Sequence, residues 1–127
     1  MKRDMDLIRE LLFRLEGTSK PLTTFVFSYG DEDLSIDGRT PDEIVAHAEM
    51  LIDGGLIEAS FGASGDLIFR KLTWNGHEFL SAVRDQEIWQ RTRAAAGKGG
   101  VATLDFIWEI AKAVGKKQLQ EKTGLEF

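Results

Sequence analysis

Apolar positions at the start of the chain recur with the period of an α-helix. Between residues 4 and 16 they come at three- and four-residue spacing, which makes one apolar stripe: Met5, Ile8, Leu11, Leu12 and Leu15. Asp4 stands before the stripe as a helix cap, and Gly17 marks the helix end. Residues 23–29 are rich in β-branched and aromatic side chains and predict a strand.

A second helix is predicted to begin at Pro41. Thr40 and Glu43 have the spacing of a capping box, and proline suits the first helical position. Gly54 and Gly55 predict the end of this helix, with one of the two in the left-handed conformation.

Two apolar stretches on either side of a flexible connection predict a β-hairpin. They are residues 56–61 and 67–72, joined by residues 62–66. Thr73 is placed to cap a further helix with four large apolar side chains: Trp74, Phe79, Leu80 and Val83. We expect one core to unite residues from all these segments: Ile8, Leu12, Ile44, Leu51, Leu56, Leu72, Phe79 and Leu80.

The C-terminal third is predicted to hold two more helices. Residues 85–96 continue helical, glycines at 97–100 break the helix, and Thr103 caps a last helix that ends at Val114. The predicted divisions are a folded domain, a helical extension and a fraying polar tail: residues 1–84, 85–114 and 115–127.

The order helix, strand, helix, hairpin, helix resembles a winged-helix domain, in which a helix-turn-helix precedes a two-stranded wing. Residues 44–57 are similar to the repressor helix that ends in Gly-Leu-Ile, and residues 72–80 are similar to the segment after the wing. In the second stretch Gly76 permits close packing beneath the sheet. The resemblance implies an α+β fold, a winged-helix-like domain with a C-terminal helical extension.

The segment before the predicted second helix differs from the helix-turn-helix pattern. That pattern places a helix there, whereas residues 23–39 offer strand and loop. Residues 34–36 alternate like a short strand, and residues 31–34 could instead form one turn of helix.

The chain is also similar to a family of uncharacterised bacterial and phage proteins, a domain of unknown function. Three stretches carry the resemblance: MKRDMDLIR at residues 1–9, LTWNGHEFL at residues 72–80, and residues 82–89. The similarity covers much of residues 1–114. It implies a small winged-helix-like protein associated with mobile elements, and it brings no catalytic residues.

Composition narrows the setting of the protein. The 127 residues include no cysteine, which removes disulfides and thiolate chemistry. No apolar run approaches the roughly 18 residues that span a bilayer, or the unbroken stretch of about 7–15 residues in a signal peptide. We therefore expect a cytoplasmic protein with no membrane contact.

Charge is distributed unevenly along the chain. Residues 31–66 hold ten acidic residues against Arg39 alone, a balance of −9, and the rest of the chain carries +4. The net charge is −5. Such an uneven distribution of charge influences which partners approach which face of the protein.

No residue pattern supports an enzyme. His77 and Glu78 begin like a zinc-protease motif, but Ser81 stands where the second histidine belongs, and His47 lies in another predicted helix. Residues 98–101 resemble the start of a variant phosphate loop, but Ala102, Thr103 and Leu104 follow where Gly-Lys-Thr would complete it. We expect no catalytic residue, no metal site and no cofactor.

The last predicted helix is apolar on two sides, which requires cover from two directions. A second copy of the chain would provide one cover, so we expect Trp89 and Trp108 to be mostly buried and a homodimer contact at three residues: Phe106, Trp108 and Ile110.

Two functions remain open. A DNA-binding transcriptional regulator of a phage or mobile element would contact phosphates through basic residues at and beyond the wing: Arg70, Lys71, Arg84, Arg91 and Arg93. The alternative is a protein-interaction module that does not bind DNA and meets a basic partner with an acidic face: Asp42, Glu43, Glu49 and Asp53.

Overall fold

The computed structural model describes residues 1–99 and 103–124. Within them the chain is α+β, with five α-helices, three antiparallel strands and one 3₁₀ turn, an arrangement compatible with a winged-helix-like domain. In chain order the elements are α1 (Met5–Thr18), β1 (Phe25–Phe27), the 3₁₀ turn (Glu32–Leu34), α2 (Pro41–Asp53), β2 (Ile57–Phe61), β3 (Leu67–Leu72), α3 (Trp74–Val83), α4 (Gln86–Gly99) and α5 (Leu104–Thr123).

The chain divides into two compact units, Met1–His77 and Glu78–Phe127, called here the N-terminal and the C-terminal unit. The division falls within α3, ahead of the predicted boundary after residue 84. None of the helices in the described ranges is both long enough and apolar enough to cross a membrane.

A three-stranded antiparallel sheet lies in the N-terminal unit, with the order β1-β3-β2. The predicted hairpin is confirmed, with Ile57 paired to Leu72 and Phe61 paired to Leu67 across it. The first strand is shorter than predicted, since only Phe25–Phe27 pairs with β3. Leu67 and Phe69 of β3 are buried in alternation, and a register shift between β2 and β3 separates them from buried Leu72, so one face of the strand covers the core.

The core of the N-terminal unit joins α1, α2 and the sheet. Six residues of the predicted core are buried in it: Ile8, Leu12, Ile44, Leu51, Leu56 and Leu72. Each such side chain stabilises the fold by roughly 1.5–3 kcal/mol through removal of apolar surface from water. Phe79 and Leu80 are buried as well and belong to the C-terminal unit.

Helix ends in the N-terminal unit follow the sequence signals. The Asp4 carboxylate accepts hydrogen bonds from the backbone N–H groups of Asp6 and Leu7, at 2.9 and 3.3 Å, and so caps α1. Thr40 and Glu43 form the predicted capping box at the start of α2. Gly55 adopts a φ of +72°, which confirms a left-handed glycine after α2.

The segment before α2 forms a single 3₁₀ turn. Asp31 caps it by accepting a hydrogen bond from the backbone N–H of Asp33 at 3.0 Å, and Leu34 is buried beneath it. The predicted strand at residues 34–36 is therefore wrong and the predicted turn of helix is confirmed. Acidic side chains favour a capped turn here because they satisfy exposed N–H groups that a strand would leave for a neighbouring chain segment.

Gly76 lies directly against the backbone of Leu56. A Cβ atom at this position would collide with the carbonyl oxygen of Leu56. Thr73 fixes the same junction, because its hydroxyl donates to the Gly55 carbonyl at 2.6 Å and accepts from the Gly76 N–H at 3.0 Å. The expected close packing of Gly76 is confirmed.

Two long helices, α4 and α5, pack together in the C-terminal unit. Helix α4 continues through Gly97 to Gly99, so the helix does not end at residue 96. Residue 100, the last of the predicted glycine break, lies outside the described residues. Helix α5 passes its predicted end at Val114 and reaches Thr123. It does so because its packed face continues, with Gly115 lying against Ile88 and Gln118 buried.

Candidate functional site

An acidic stripe runs along the exposed side of α2. Asp42, Glu49 and Asp53 are all exposed, and their spacing of seven and four residues puts them within an arc of about 40° around a helix at 100° per residue. Helix α2 contains no Lys, Arg, Asn or Gln. The stripe, defined by these three residues, is a line of carboxylates with no cation on the same helix.

Glu43, the fourth residue of the predicted acidic face, makes its contacts at the start of α2 and is not part of the stripe. Its carboxylate accepts a hydrogen bond from the backbone N–H of Thr40 at 3.1 Å and pairs with Arg39 at 3.4 Å. The bond from Thr40 and the pairing with Arg39 hold the pKa of Glu43 below its ordinary value. The structure therefore keeps three of the four predicted carboxylates together and withdraws Glu43 to the start of the helix.

Arg39 links the starts of α1 and α2. Its guanidinium lies 2.6 Å from the Asp4 carboxylate and 3.4 Å from that of Glu43, and these contacts raise the pKa of Arg39. Partial burial opposes ionisation of Asp4, but the hydrogen bonds from Arg39 and from the backbone of Leu7 outweigh it, so the pKa of Asp4 lies below its ordinary value. One cation thus compensates two carboxylates.

His47 is a structural residue of the same junction. It is 1% exposed, its Nδ1 lies 2.8 Å from the Glu43 carbonyl oxygen, and its Nε2 accepts from the backbone N–H of Asp4 at 2.9 Å. Because a carbonyl only accepts, Nδ1 carries the proton and the ring is neutral. Both ring nitrogens of His47 are used in hydrogen bonds inside the fold.

In the described residues no group of three or more His, Asp or Glu side chains is arranged to hold a metal ion.

An apolar pocket of about 120 Å³ opens beside α2 in the N-terminal unit. Its walls come from α2, from the hairpin and from the segment between β1 and α2. The lining residues include Tyr29, Asp31, Arg39, Val45, Gly65 and Leu67. Val45 precedes Glu49 by one helical turn, so the pocket lies next to the acidic stripe.

Tyr29 crosses from the loop after β1 to α2 at this pocket. Its hydroxyl donates to the Asp42 carboxylate at 2.6 Å, and its ring lies against the hairpin turn at Gly65. The hydrogen bond to Asp42 raises the pKa of Tyr29. The loop, the hairpin turn and α2 are thereby joined at the pocket.

The candidate nucleic-acid contacts are distributed over both units. Arg70 and Lys71 lie on β3, where Lys71 approaches Glu58 at 4.0 Å. Arg84 and Arg93 are exposed in the C-terminal unit, and Arg91 pairs with Glu121 at 3.8 Å. DNA binding through these residues stays a prediction.

The candidate dimer contacts share one helix but differ in exposure. Phe106 is 36% exposed, and Trp108 and Ile110 are intermediate. Trp108 packs edge-on against Phe79, with ring centres 5.7 Å apart, and Lys112 lies 4.9 Å from its ring centre. Trp89 is 3% exposed, as predicted. A homodimer stays a prediction.

Sequence reasoning missed two parts of this site, the pocket and the Tyr29–Asp42 hydrogen bond. Both depend on contacts between segments that are distant in sequence, such as residues 29 and 42. The one available signal was composition: Tyr29 is the only tyrosine of the chain and stands at the edge of its acidic segment.

Comparison with known proteins assigns the chain to a family. Residues 2–102 match a family model described as "Hypothetical protein (DUF2513)". The chain belongs to the DUF2513 family. The match includes all of the N-terminal unit except Met1 and ends before α5.

A relative supports this membership. An uncharacterized protein of Haemophilus influenzae is 32% identical over 123 residues, which cover 94% of this chain and 99% of that protein. The expected membership in an uncharacterised domain-of-unknown-function family is confirmed. No solved structure matches the chain.

Proposed function

We propose that this DUF2513 protein is a non-enzymatic protein-binding module on a winged-helix-like frame, and that α2 receives a basic segment of a partner protein. The acidic stripe carries this proposal, because three exposed carboxylates stand in line on a helix that has no basic residue. The N-terminal unit as a whole has 14 acidic and eight basic residues, a net charge of −6. A positively charged partner is steered toward such a surface.

The alternative, a DNA-binding transcriptional regulator, meets an electrostatic obstacle at the same helix. On a winged-helix-like frame α2 stands where the recognition helix enters DNA. Carboxylates repel phosphates, and the residue types that read base edges most often are absent from α2. DNA binding would have to depend on basic residues elsewhere, such as Arg91 and Arg93. A cytoplasmic location and an association with mobile elements stay predictions.

Binding of defined probes by the full chain tests the proposal. The probes are a labelled, end-blocked pentapeptide Lys-Lys-Leu-Lys-Lys, its counterpart Glu-Glu-Leu-Glu-Glu, and a DNA duplex, measured by fluorescence anisotropy at low and high salt. We expect binding of the lysine peptide that weakens as salt rises, and no binding of the glutamate peptide or the duplex.

Two triple variants with the same change in net charge separate a specific surface from general attraction. Neutralising the stripe with Asp42→Asn, Glu49→Gln and Asp53→Asn should weaken the lysine peptide about ten-fold. Neutralising three exposed carboxylates elsewhere, with Glu10→Gln, Glu58→Gln and Glu78→Gln, should have a much smaller effect. Equal weakening by both triples would remove α2 as the binding surface.

A positive DNA result has its own signature. If the duplex binds, and if Arg91→Ala with Arg93→Ala weakens it and reduces its salt dependence, the chain is a nucleic-acid-binding protein and the proposal is wrong. In that case neutralising the stripe should leave DNA binding unchanged or improve it.

A further inference from the structure

The size of the pocket beside α2 limits what it accepts. Pockets for drug-sized ligands and cofactors occupy roughly 300–1,000 Å³, whereas this one is about 120 Å³. A benzene ring fits an apolar cavity of about 150 Å³. The pocket is somewhat smaller than that and open to the surface, so it has room for one leucine-sized side chain or for part of an aromatic ring.

The chemistry of the walls separates an apolar interior from an anionic edge. Val45 and Leu67 contribute apolar surface, and Asp31, whose carboxylate also caps the 3₁₀ turn, is among the lining residues. Asp42, the first residue of the acidic stripe, is bonded to the Tyr29 hydroxyl at the same pocket. The pocket therefore combines an apolar cavity with carboxylates beside it.

Arg39 also lines the pocket, but it does not reverse this charge. Its guanidinium is held by Asp4 at 2.6 Å and by Glu43 at 3.4 Å, so its charge is already balanced within the fold. An incoming segment meets Asp31 and Asp42 as the carboxylates beside the apolar opening.

We propose that the pocket receives a single apolar side chain from the partner segment, and that lysine or arginine residues on either side of that side chain pair with the carboxylates of Asp31 and Asp42. This inference rests on the proposed function, to which it adds the chemistry of the partner: a basic segment with one central apolar anchor. Buried central anchors surrounded by polar contacts are the usual source of affinity in protein interfaces.

A guest series on the unmodified protein tests the anchor directly. Pentapeptides of the form Lys-Lys-X-Lys-Lys keep the same charge while X is Gly, Ala, Leu, Phe or Glu. We expect the Leu and Phe peptides to bind about ten-fold more tightly than the Ala peptide, because a large apolar side chain removes more surface from water. The Gly peptide should be weaker still.

Filling the pocket provides the matched variants. Val45→Phe places a ring in the cavity and should abolish the preference for Leu over Ala while weak, salt-sensitive binding of all lysine peptides remains. Val26→Phe makes the same change at an exposed position that does not line the pocket, and should keep the preference. Thermal unfolding of both variants shows whether the fold is retained, and the guest series itself requires no substitution.

The single tyrosine supplies a local readout. Fluorotyrosine incorporated into the full chain labels only position 29, at the pocket. Its NMR signal should shift with the Leu and Phe peptides at lower concentrations than with the Ala peptide, and it should not shift with Glu-Glu-Leu-Glu-Glu.

Three outcomes would contradict the inference in different ways. Equal affinity for all guests would leave the acidic surface as a binding site for basic segments and remove the pocket from it. Binding of none of the lysine peptides would overturn the proposed function and the anchor together. A fluorotyrosine shift with benzene but with no peptide would make the pocket a small-molecule site.

Discussion

Each of the two units has an apolar core of its own, but the contacts that place its elements differ from one unit to the other. In the N-terminal unit, directional polar contacts fix where the elements begin and how they meet: the Thr40–Glu43 capping box, the Arg39 ion pairs and the two hydrogen bonds of His47. In the C-terminal unit two long helices pack through side chains such as Ile107 and Ala111. Polar contacts specify positions, whereas apolar packing specifies a face and lets a helix continue while that face stays covered.

The units also differ in charge. The N-terminal unit has a net charge of −6, and the C-terminal unit, with eight basic and seven acidic residues, has +1. The negative electrostatic field of the protein therefore arises mainly from the N-terminal unit, which carries the acidic stripe and the pocket. This is the reason for placing the proposed binding site there.

The largest effect is expected where packing dominates. Trp89→Ala should lower the free energy of unfolding by about 3–5 kcal/mol, because it empties the space of a large side chain that is 3% exposed. Trp74→Ala, at a position that is 79% exposed, should change it by less than about 0.5 kcal/mol. Urea unfolding followed by circular dichroism measures both, and comparable losses would contradict this view of the two units.

The next largest effect is expected in the N-terminal unit, where Gly76 lies against the backbone of Leu56. Gly76→Ala should lower the free energy of unfolding by about 3 kcal/mol, because the added methyl collides with the Leu56 carbonyl. The same change at Gly17, which has open space around it in α1, should raise stability by up to about 1 kcal/mol. An unchanged free energy of unfolding in Gly76→Ala would show that the backbone at this junction shifts at little cost to accommodate a methyl group.

Removal of polar partners should have an intermediate effect. His47→Phe leaves the backbone N–H of Asp4 without its partner, removes the side-chain bond to the Glu43 carbonyl at a part-buried junction, and should cost about 2 kcal/mol. His77 is exposed, so His77→Phe should change the free energy of unfolding by less than about 0.5 kcal/mol. Chemical denaturation at neutral pH compares the two. Equal stability of both variants would mean that packing, rather than hydrogen bonding, holds this junction.

The smallest effect is expected in the way stability depends on pH. The pKa values of Asp4 and Glu43 are lower in the folded state than their ordinary values of 3.8 and 4.5, so their ionisation stabilises the fold above those values, and this stabilisation is lost as the pH falls through the lowered ones. Arg39→Gln should therefore be less stable than the parent at neutral pH, with a difference that shrinks on acidification below pH 4.

Thermal melts across this pH range measure that difference. Arg14→Gln, an exposed position in α1, removes the same charge without the ion pairs and should show no comparable pH dependence. A constant difference between Arg39→Gln and the parent down to low pH would show that Arg39 acts through packing of its side chain.

Sequence patterns predicted most of the N-terminal unit because its signals are local. The cap at Asp4, the capping box at Thr40 and the hairpin at residues 57–72 all depend on neighbours within a few residues. The predicted end of the last helix at Val114 was wrong for the opposite reason. Residues 115–123 look polar, and only their position opposite α4 shows that Gly115 and Gln118 belong to a packed face.

The candidate site shows the same limit. The charges of Asp42, Glu49 and Asp53 and their common side of α2 follow from helical spacing, so the acidic stripe could be predicted in outline. The withdrawal of Glu43 could not, because it depends on where Arg39 lies relative to Asp4. The pocket could not be predicted either, since its walls come from three segments that only the folded chain brings together.

The sequence by itself determined the element order, the helix caps, the hairpin and the sign of the charge on α2, because each is decided by local geometry or by composition. Tertiary structure alone decided which charges are compensated, where helices α4 and α5 end, and that Tyr29 reaches Asp42 beside an apolar pocket. These features depend on distances between remote residues, and no local pattern encodes such distances until the core has brought the segments into contact.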